Sequence, residues 1–234
     1  MRYLWATATH QGMVRDQNED TVYPKSSGES DDGVLVIVAD GMGGHVAGEV
    51  ASRLAVNAAA SNDLPATDRV AAGNRAIREE VAREPGLEGM GTTMTLLEIE
   101  DDVATIAHVG DSRAYLLRDG ELRQLTEDHT VAAEYMAQGQ LSAEEAASHP
   151  QRHMLVRTLG LTRFVNVDEV KTDLAPGDRI LLCSDGLTEM VTEEQIARTL
   201  GDDTPDEVVW ALVEMANKAG GVDNISVAVV EAVD

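Results

Sequence analysis

The chain has 234 residues, of which 42 are Asp or Glu and 18 are Lys or Arg, so its formal net charge at pH 7 is −24. A chain this acidic repels phosphate backbones and anionic lipid, which argues against nucleic-acid and membrane-surface partners. A hydrophobic fraction of 43% argues against a disordered chain, and no apolar run approaches the roughly 20 residues of a membrane span.

Strands are predicted where short runs rich in β-branched residues are bounded by Asp, Gly or Ser. These runs are 3–9, 34–39, 92–99, 103–109, 114–117, 121–125, 179–184 and 225–230. Helices are predicted at 45–60, 66–84, 130–138, 192–200 and 205–219. Because strands and helices fall in separate groups, we expect an α+β fold in which sheets pack on each other with helices outside.

Turn and cap residues support several of these boundaries. The tripeptide Arg118-Asp119-Gly120 separates two predicted strands and is typical of a tight hairpin turn. Thr204 followed by Pro205 predicts the start of a helix, and Gly220-Gly221 predicts its end.

The chain shows no internal repeat, low-complexity tract or long linker, so we expect residues 1–234 to form a single domain. Within it, the segment at about 126–160 has few large apolar residues and many Ala and Glu, which predicts a mobile flap. The opening run 3–9 is too short and too rich in Thr for a secretion signal. We therefore expect a cytoplasmic protein, and a monomer.

Four acidic residues lie at the ends of apolar strands: Asp40, Asp111, Asp185 and Asp223. For any one of them the simplest interpretation is a turn, because Asp bonds its own backbone and a following Gly accepts a positive φ. Asp119 in the hairpin is such a residue. Four carboxylates that converge would repel one another unless protons or cations neutralise them. Mg²⁺ and Mn²⁺ prefer oxygen ligands, so a two-ion site is the natural candidate.

A polar segment near the start of the chain, RDQNED at 15–20, adds one cation and further acids. The planar guanidinium of Arg15 suits a phosphate group, and Glu19 and Asp20 supply carboxylates. Taken alone, this segment is an ordinary polar loop.

Seven motifs in a fixed order carry a family resemblance. They are RDQNED (15–20), ADGMGGHVAGEVAS (39–52), GMGTTMT (89–95), HVGDSRAYLL (108–117), LTEDH (125–129), LLCSDGL (181–187) and GGVDNISV (220–227). Together they resemble PP2C-type protein phosphatases, most of all the bacterial stand-alone catalytic domains of that family. The resemblance implies a central β-sandwich of two antiparallel sheets flanked by helices, in α-β-β-α layers, with a two-metal cleft at one end. The flap at 126–160 corresponds to a variable segment of the family.

The resemblance also implies a set of metal ligands. Asp40 would bridge two ions, Mn²⁺ or Mg²⁺, and the backbone carbonyl of Gly41 would bind one of them. Asp185 and Asp223 would bind the other ion.

Other residues would act around these two ions. Glu19 and Asp20 would act mostly through water, and Arg15 would bind the substrate phosphate. Asp111, together with Asp185, would hold a third and weaker ion, as in bacterial members.

Two positions depart from the family pattern. Some members have a histidine directly after the Asp-Gly pair, proposed as a general acid, whereas this chain has Met42, which has no proton to donate. His153 stands where some relatives have a small polar residue near the third ion, so the affinity for that ion is open.

The predicted function is metal-dependent hydrolysis of phosphoserine and phosphothreonine in proteins, by direct attack of a metal-bridging hydroxide on phosphorus. The expected partners are phosphoprotein substrates, among them bacterial Ser/Thr kinases and their targets. Two alternatives stay open: a phosphatase-like scaffold that binds without turnover, and a phosphatase devoted to one partner. The retained acids and Arg15 argue against the scaffold.

Other signals in the sequence are weaker. Cys183 lacks the Arg six positions later that a tyrosine phosphatase needs, because position 189 is Glu, and a free Cys on an apolar strand is usually packing. The run GMGGH (41–45) is not followed by the Lys of a phosphate-binding loop. The histidines form no H-E-x-x-H zinc motif, and Ser112 and Ser184 lack the setting of a serine hydrolase.

Overall fold

The computed structural model describes residues 1–43 and 46–234. The strands are β1 (Arg2–His10), β2 (Thr21–Tyr23), β3 (Gly28–Ser30), β4 (Val34–Ala39), β5 (Gly41–Met42), β6 (Gly91–Thr92), β7 (Met94–Glu100), β8 (Val103–Val109), β9 (Arg113–Arg118), β10 (Glu121–Gln124), β11 (Asp168–Asp173), β12 (Arg179–Cys183) and β13 (Ile225–Val233). The helices are α1 (Val46–Ala60), α2 (Ala66–Arg83), α3 (Val131–Ala137), α4 (Ala143–Ala147), α5 (Asp185–Thr188), α6 (Glu193–Asp202) and α7 (Pro205–Lys218), with a 3₁₀ turn at Pro85–Leu87.

Two antiparallel sheets face each other at the centre of the molecule. One has six strands in the order β10-β9-β12-β13-β1-β3, and the other has five in the order β11-β8-β7-β4-β2. A short two-stranded sheet pairs β5 with β6. Helices α1 and α2 cover the five-stranded sheet, and α6 and α7 cover the six-stranded one. The predicted α+β fold, a β-sandwich between helical layers, is therefore confirmed.

Strand β4 lies between two packed layers and carries no polar residue. Val36 and Val38 point into the core between the two sheets, while Ile37 and Ala39 pack against α1 and α2. All four side chains are buried. Since side chains alternate across a strand and both faces are covered here, every position must be apolar.

The structure confirms most of the predicted boundaries to within a few residues. The first residue of the predicted helix 45–60, His45, lies outside the described residues. The strand predicted over 92–99 is broken at Thr93, which leaves the ladder to bond the Asp40 peptide. The strand β11 was not predicted, because its sequence DEVKTD contains a single apolar residue and forms a sheet edge.

The predicted turn and cap residues are confirmed. Arg118 pairs with Glu121 across a two-residue turn in which Asp119 and Gly120 both have positive φ, 53° and 81°. Thr204 is the residue before α7, and its N–H and hydroxyl both donate to the Glu207 carboxylate. Pro205 is the first helical residue, and the helix ends before Gly220-Gly221. Among the residues described, none of the helices is both long enough and apolar enough to cross a bilayer.

Candidate metal centre

One end of the sandwich gathers the strand ends that carry the predicted acids. Asp40 follows β4, Asp185 follows β12 as the first residue of α5, and Asp223 lies just before β13. Asp111 lies in the connection between β8 and β9. Antiparallel pairing puts the end of one strand beside the start of the next, so the fold brings these four acids to the same edge.

The Asp-Gly pairs at this edge are not ordinary turns. Neither Asp40-Gly41 nor Asp185-Gly186 has the positive φ seen at Asp119-Gly120. Glycine is needed at Gly41 for another reason, since a Cβ there would lie 2.2 Å from the Gly48 carbonyl oxygen. A Cβ at Gly186 would lie 2.0 Å from the Asn224 carbonyl oxygen. These glycines therefore allow separate segments to approach the acids closely.

Hydrogen bonds of its own N–H and carbonyl hold the Asp40 peptide in place. Its N–H donates to the Thr93 hydroxyl at 2.9 Å, and its carbonyl accepts the Thr93 N–H at 2.8 Å and the Thr92 hydroxyl at 2.7 Å. Because these bonds fix the turn, the side-chain carboxylate is not needed to stabilise it. The Asp40 carboxylate, which lies beside the Asp185 carboxyl group, is thus available to bind a ligand.

Asn224 attaches the loop that carries Glu19 to the rest of the site. Its amide donates to the carbonyls of Gln11 and Gln17, both at 2.8 Å, and its Oδ1 accepts the Glu19 N–H at 2.8 Å. From the other side, the Ser52 hydroxyl of α1 donates to the Glu19 carbonyl at 2.6 Å. Glu19 is therefore anchored between the last strand and the first helix.

Asp20 lies deeper, with 7% of its surface exposed. The Ser184 hydroxyl donates to its Oδ2 at 2.9 Å, and Ser184 in turn accepts the Ser226 N–H. These bonds connect the N-terminal loop to the ends of β12 and β13.

Arg15 reaches the site as an ion pair. Its Nη2 donates to the Asp223 Oδ2 at 2.6 Å, and about half of its side chain is exposed, at 52%. Partial burial works against the charged form, but the bond to Asp223 and the charges of Asp40 and Glu19 hold the pKa of Arg15 above its usual value. The guanidinium keeps further N–H groups for a second partner.

Burial and mutual repulsion disfavour the charged form of the carboxyl groups of the site. Burial raises the pKa of Asp20 to about 7, of Asp111 to about 8 and of Asp185 to about 6, and neighbouring acids add to each shift. Burial raises the pKa of Asp40 well above its usual range, and the charges of the other acids, Asp223 among them, add to the shift. These five side chains therefore share one electrostatic field.

The donor set fits a hard divalent cation. The buried oxygens Asp20 Oδ1 and Asp185 Oδ1 have no hydrogen-bond partner in the part of the chain that the structure describes. A buried polar atom without a partner is costly, and a cation would satisfy both it and the clustered negative charge. Only oxygen atoms are available from these acids, which suits Mg²⁺ or Mn²⁺ better than a softer metal.

A second group of potential ligands adjoins this set. One ligand atom from each of His153, Asp185 and Glu189 lies within 4.8 Å of the others, and His153 Nδ1 is 2.7 Å from Glu189 Oε1. Together with Asp111, these residues line a cavity of about 500 Å³ between the flap and α5. The residue at 153 thus lies beside the position that the family resemblance gives to a third ion.

The sequence predicts the acids of the site but not the residues that hold them in place. Asn224, Ser184 and Thr93 bond backbone or side-chain atoms far away along the chain, and no local pattern identifies such residues. Glu189 had one available signal, since it follows Asp185 by four residues, the spacing of neighbours on a helix.

The comparisons with known proteins identify the family of the chain. A family profile described as protein phosphatase 2C matches residues 14–208. The serine/threonine protein phosphatase PstP of Mycobacterium tuberculosis is 42% identical over 98% of this chain and 45% of its own length. The chain thus spans about half the length of that relative. The serine/threonine phosphatase stp of Listeria monocytogenes is 39% identical over 95% of this chain and 93% of its own.

A solved structure extends the similarity to three dimensions. The catalytic domain of PstP, crystallised with two manganese ions, superposes with a TM-score of 0.88 at 39% identity, covering 100% of both chains. The sandwich is thus shared with the catalytic domain of a serine/threonine protein phosphatase. The chain belongs to the protein phosphatase 2C family.

Proposed function

We propose that this protein hydrolyses phosphoserine and phosphothreonine side chains of other proteins, using two divalent cations, Mn²⁺ or Mg²⁺. The observation that carries the proposal is the cluster of acids at Asp20, Asp40, Asp111, Asp185 and Asp223, the first four of which have carboxyl pKa values raised by burial and by neighbouring acids. Such a cluster is stable only when cations or protons neutralise it. The manganese ions in the PstP structure support the choice of cation.

Five residues would hold the cations. We assign Asp40 to both ions, the Gly41 carbonyl to one of them, and Asp185 and Asp223 to the other. Asp111, with Asp185, would hold a third and weaker ion. When bound, the cations neutralise charge on the phosphate and make water more acidic, so that a nucleophile is available near neutral pH.

The other residues prepare the substrate and solvent. Arg15 would bind the phosphate oxygens with the N–H groups that Asp223 leaves free, and it would balance charge as the phosphorus is attacked. Glu19 and Asp20 would orient water. Met42 has no titratable group, so the proton that the leaving alkoxide needs would come from solvent.

The wider biological setting belongs to the same proposal. We propose phosphoproteins as substrates, with bacterial Ser/Thr kinases and their targets among them. The monomeric state, the cytoplasmic location and the single-domain organisation predicted from the sequence remain predictions. A scaffold without turnover and a phosphatase devoted to one partner are the alternatives, and a phosphopeptide panel separates the second from a general phosphatase.

The test is release of phosphate from p-nitrophenyl phosphate and from a phosphothreonine peptide, each measured with Mn²⁺, with Mg²⁺ and with EDTA. We expect turnover that requires the metal and that falls at least about a hundredfold in Asp40→Asn. The matched control is Asp119→Asn in the β9–β10 turn, which should keep full activity. A folded protein with no turnover under either metal would support the scaffold instead.

A further inference from the structure

Three large apolar side chains lie exposed on two adjoining loops beside Arg15. Met13 is 68% exposed, Val14 is 65% exposed and Val222 is 42% exposed. We call these three residues the apolar lip. Single exposed apolar residues are normal on a protein surface, but a group beside a binding site marks a place where something docks.

The two loops of the apolar lip are joined through their backbones. The Met13 N–H donates to the Gly221 carbonyl at 2.7 Å. Gly12 has a φ of 81°, and a Cβ there would lie 2.1 Å from the Asp223 carbonyl oxygen. Gly221 has a φ of 52° and packs against Met13. Because both glycines hold conformations that other residues rarely adopt, the apolar lip is preorganised.

The apolar lip borders the proposed phosphate-binding residue. Val14 directly precedes Arg15, and Val222 directly precedes Asp223, the ion-pair partner of Arg15. A surface groove of about 260 Å³ is lined by Val14, Arg15, Asp16, Gln17 and Glu19. A peptide whose phosphate reaches Arg15 would therefore place a neighbouring side chain against Val14.

Charge selects which neighbouring side chain is suitable. Asp16 and Glu19 line the groove, and the whole chain has a formal charge of −24. An acidic residue next to the phosphate would be repelled by this negative field, which instead attracts basic residues elsewhere in the substrate. Of the residues that the field does not repel, an apolar one meets Val14 and Met13 and removes their surface from water.

We propose that the apolar lip binds a large apolar side chain adjacent in sequence to the phosphorylated residue of the substrate. The occupant is thus a phosphopeptide with Leu, Ile, Met or Phe next to its phosphothreonine or phosphoserine. The inference rests on the proposed function, because it names a substrate class for that same site. It makes Met13, Val14 and Val222 determinants of specificity.

The experiment measures kcat/KM for phosphothreonine peptides that differ at one position. Two positions are varied, the residue directly before and the residue directly after the phosphothreonine. Each is either Leu or Ser, in an otherwise uncharged peptide. We expect the Leu peptide to exceed its Ser counterpart about tenfold at one of these positions. In a Met13→Ser, Val14→Ser variant that ratio should fall below about twofold. In Trp210→Ser, which removes a 55% exposed side chain on α7, the ratio should stay as in the wild type.

The possible results separate this inference from the proposed function. Turnover of all peptides without a Leu preference, or a preference that survives in the double variant, overturns the apolar lip and leaves the phosphatase intact. Loss of the Leu preference in the control variant Trp210→Ser also overturns the role of the apolar lip. No metal-dependent turnover of any peptide or of p-nitrophenyl phosphate overturns the phosphatase, and the apolar lip with it.

Discussion

The carboxyl group of Asp40 lies among four other acids at a site where burial and mutual repulsion raise pKa values. Its peptide is fixed by Thr92 and Thr93, so the fold does not depend on the side chain. In the absence of cations these acids oppose one another, and removing one charge relieves the rest. The residues that the proposed function needs are thus the ones that cost the metal-free protein stability.

The variant Asp40→Asn should therefore be more stable than the wild type in EDTA, by about 1 kcal/mol or more in the free energy of unfolding at pH 7. Saturating Mn²⁺ should raise the melting temperature of the wild type and have little effect on the variant, because binding to the folded state alone is stabilising. Urea denaturation and thermal melts measure both effects, with Asp119→Asn as the neutral control. A variant less stable than the wild type in EDTA would show that Asp40 has a structural role.

Substitution of Arg15 is a second test of the site, and it should change KM more than kcat. Because it is half exposed and pairs with Asp223 at the rim, its removal should affect substrate binding more than the fold. We expect Arg15→Ala to raise KM for p-nitrophenyl phosphate about tenfold or more, with a smaller change in kcat. Arg15→Lys should recover only part of the loss, since a lysine lacks the planar fork. An unchanged KM in Arg15→Ala excludes contact with the phosphate.

The strands and helices differ in how well the sequence predicts them. Strand β4 follows from its run of apolar, β-branched residues, and the long helices α1, α2 and α7 follow from periodicity and cap residues. Strand β11 does not, because an edge strand with one covered face needs little apolar surface. The acids were identifiable because they end apolar strands. Their supports were not, since the partners of Asn224 lie more than 200 residues earlier in the chain.

Strand β8 contains His108, whose titration should change the free energy of unfolding with pH. His108 is almost fully buried, with Nε2 near the Glu127 carbonyl at 3.1 Å and Nδ1 near the Thr95 hydroxyl at 2.9 Å. Burial and the neighbouring His129 lower the pKa of His108 to about 4. An unfolded histidine titrates near pH 6.5, so the unfolded state binds the proton first as the pH falls. The contribution of His108 to the free energy of unfolding should therefore decrease between pH 6.5 and pH 4, whereas the site carboxyls, whose pKa values are raised, act in the opposite direction.

We expect His108 to contribute up to about 3 kcal/mol to this decrease. The measurement is urea denaturation of the wild type and of His108→Gln across that range, in EDTA. The site carboxyls titrate in both proteins, so the difference between the two curves isolates His108. As the pH falls, the free energy of unfolding of the wild type should drop relative to that of the variant, and parallel curves would mean that His108 does not titrate there.

Across the whole molecule the dominant feature is the charge of −24. Surface ion pairs such as Arg53 with Glu49 and Lys218 with Glu214 offset it locally. Isolated surface pairs contribute at most about 1 kcal/mol each, whereas an excess of one sign repels throughout. The acidic surface should also concentrate divalent cations and basic substrate segments near the protein.

Monovalent salt should therefore stabilise the metal-free protein. Raising KCl from 10 to 150 mM shortens the screening length from about 30 Å to about 8 Å. We expect a gain of about 1 kcal/mol, which corresponds to a rise in melting temperature of about 2–4 °C for a chain of this size. Thermal melts in EDTA over a KCl series provide the measurement. A melting temperature that falls with salt would show that the ion pairs outweigh the repulsion.

The hydrogen bonds of the Asn224 amide to residues 11, 17 and 19 also determine when the site can form during synthesis. Strand β1 pairs along its whole length with β13, and the loop that carries Arg15 is positioned by residues beside that last strand. During synthesis on the ribosome, the loop would emerge early and wait for more than 200 further residues before its partners appear. The site of a nascent chain would thus be incomplete until almost all of this sequence had left the exit tunnel, so the proposed activity would begin only after residues 223 and 224 had emerged.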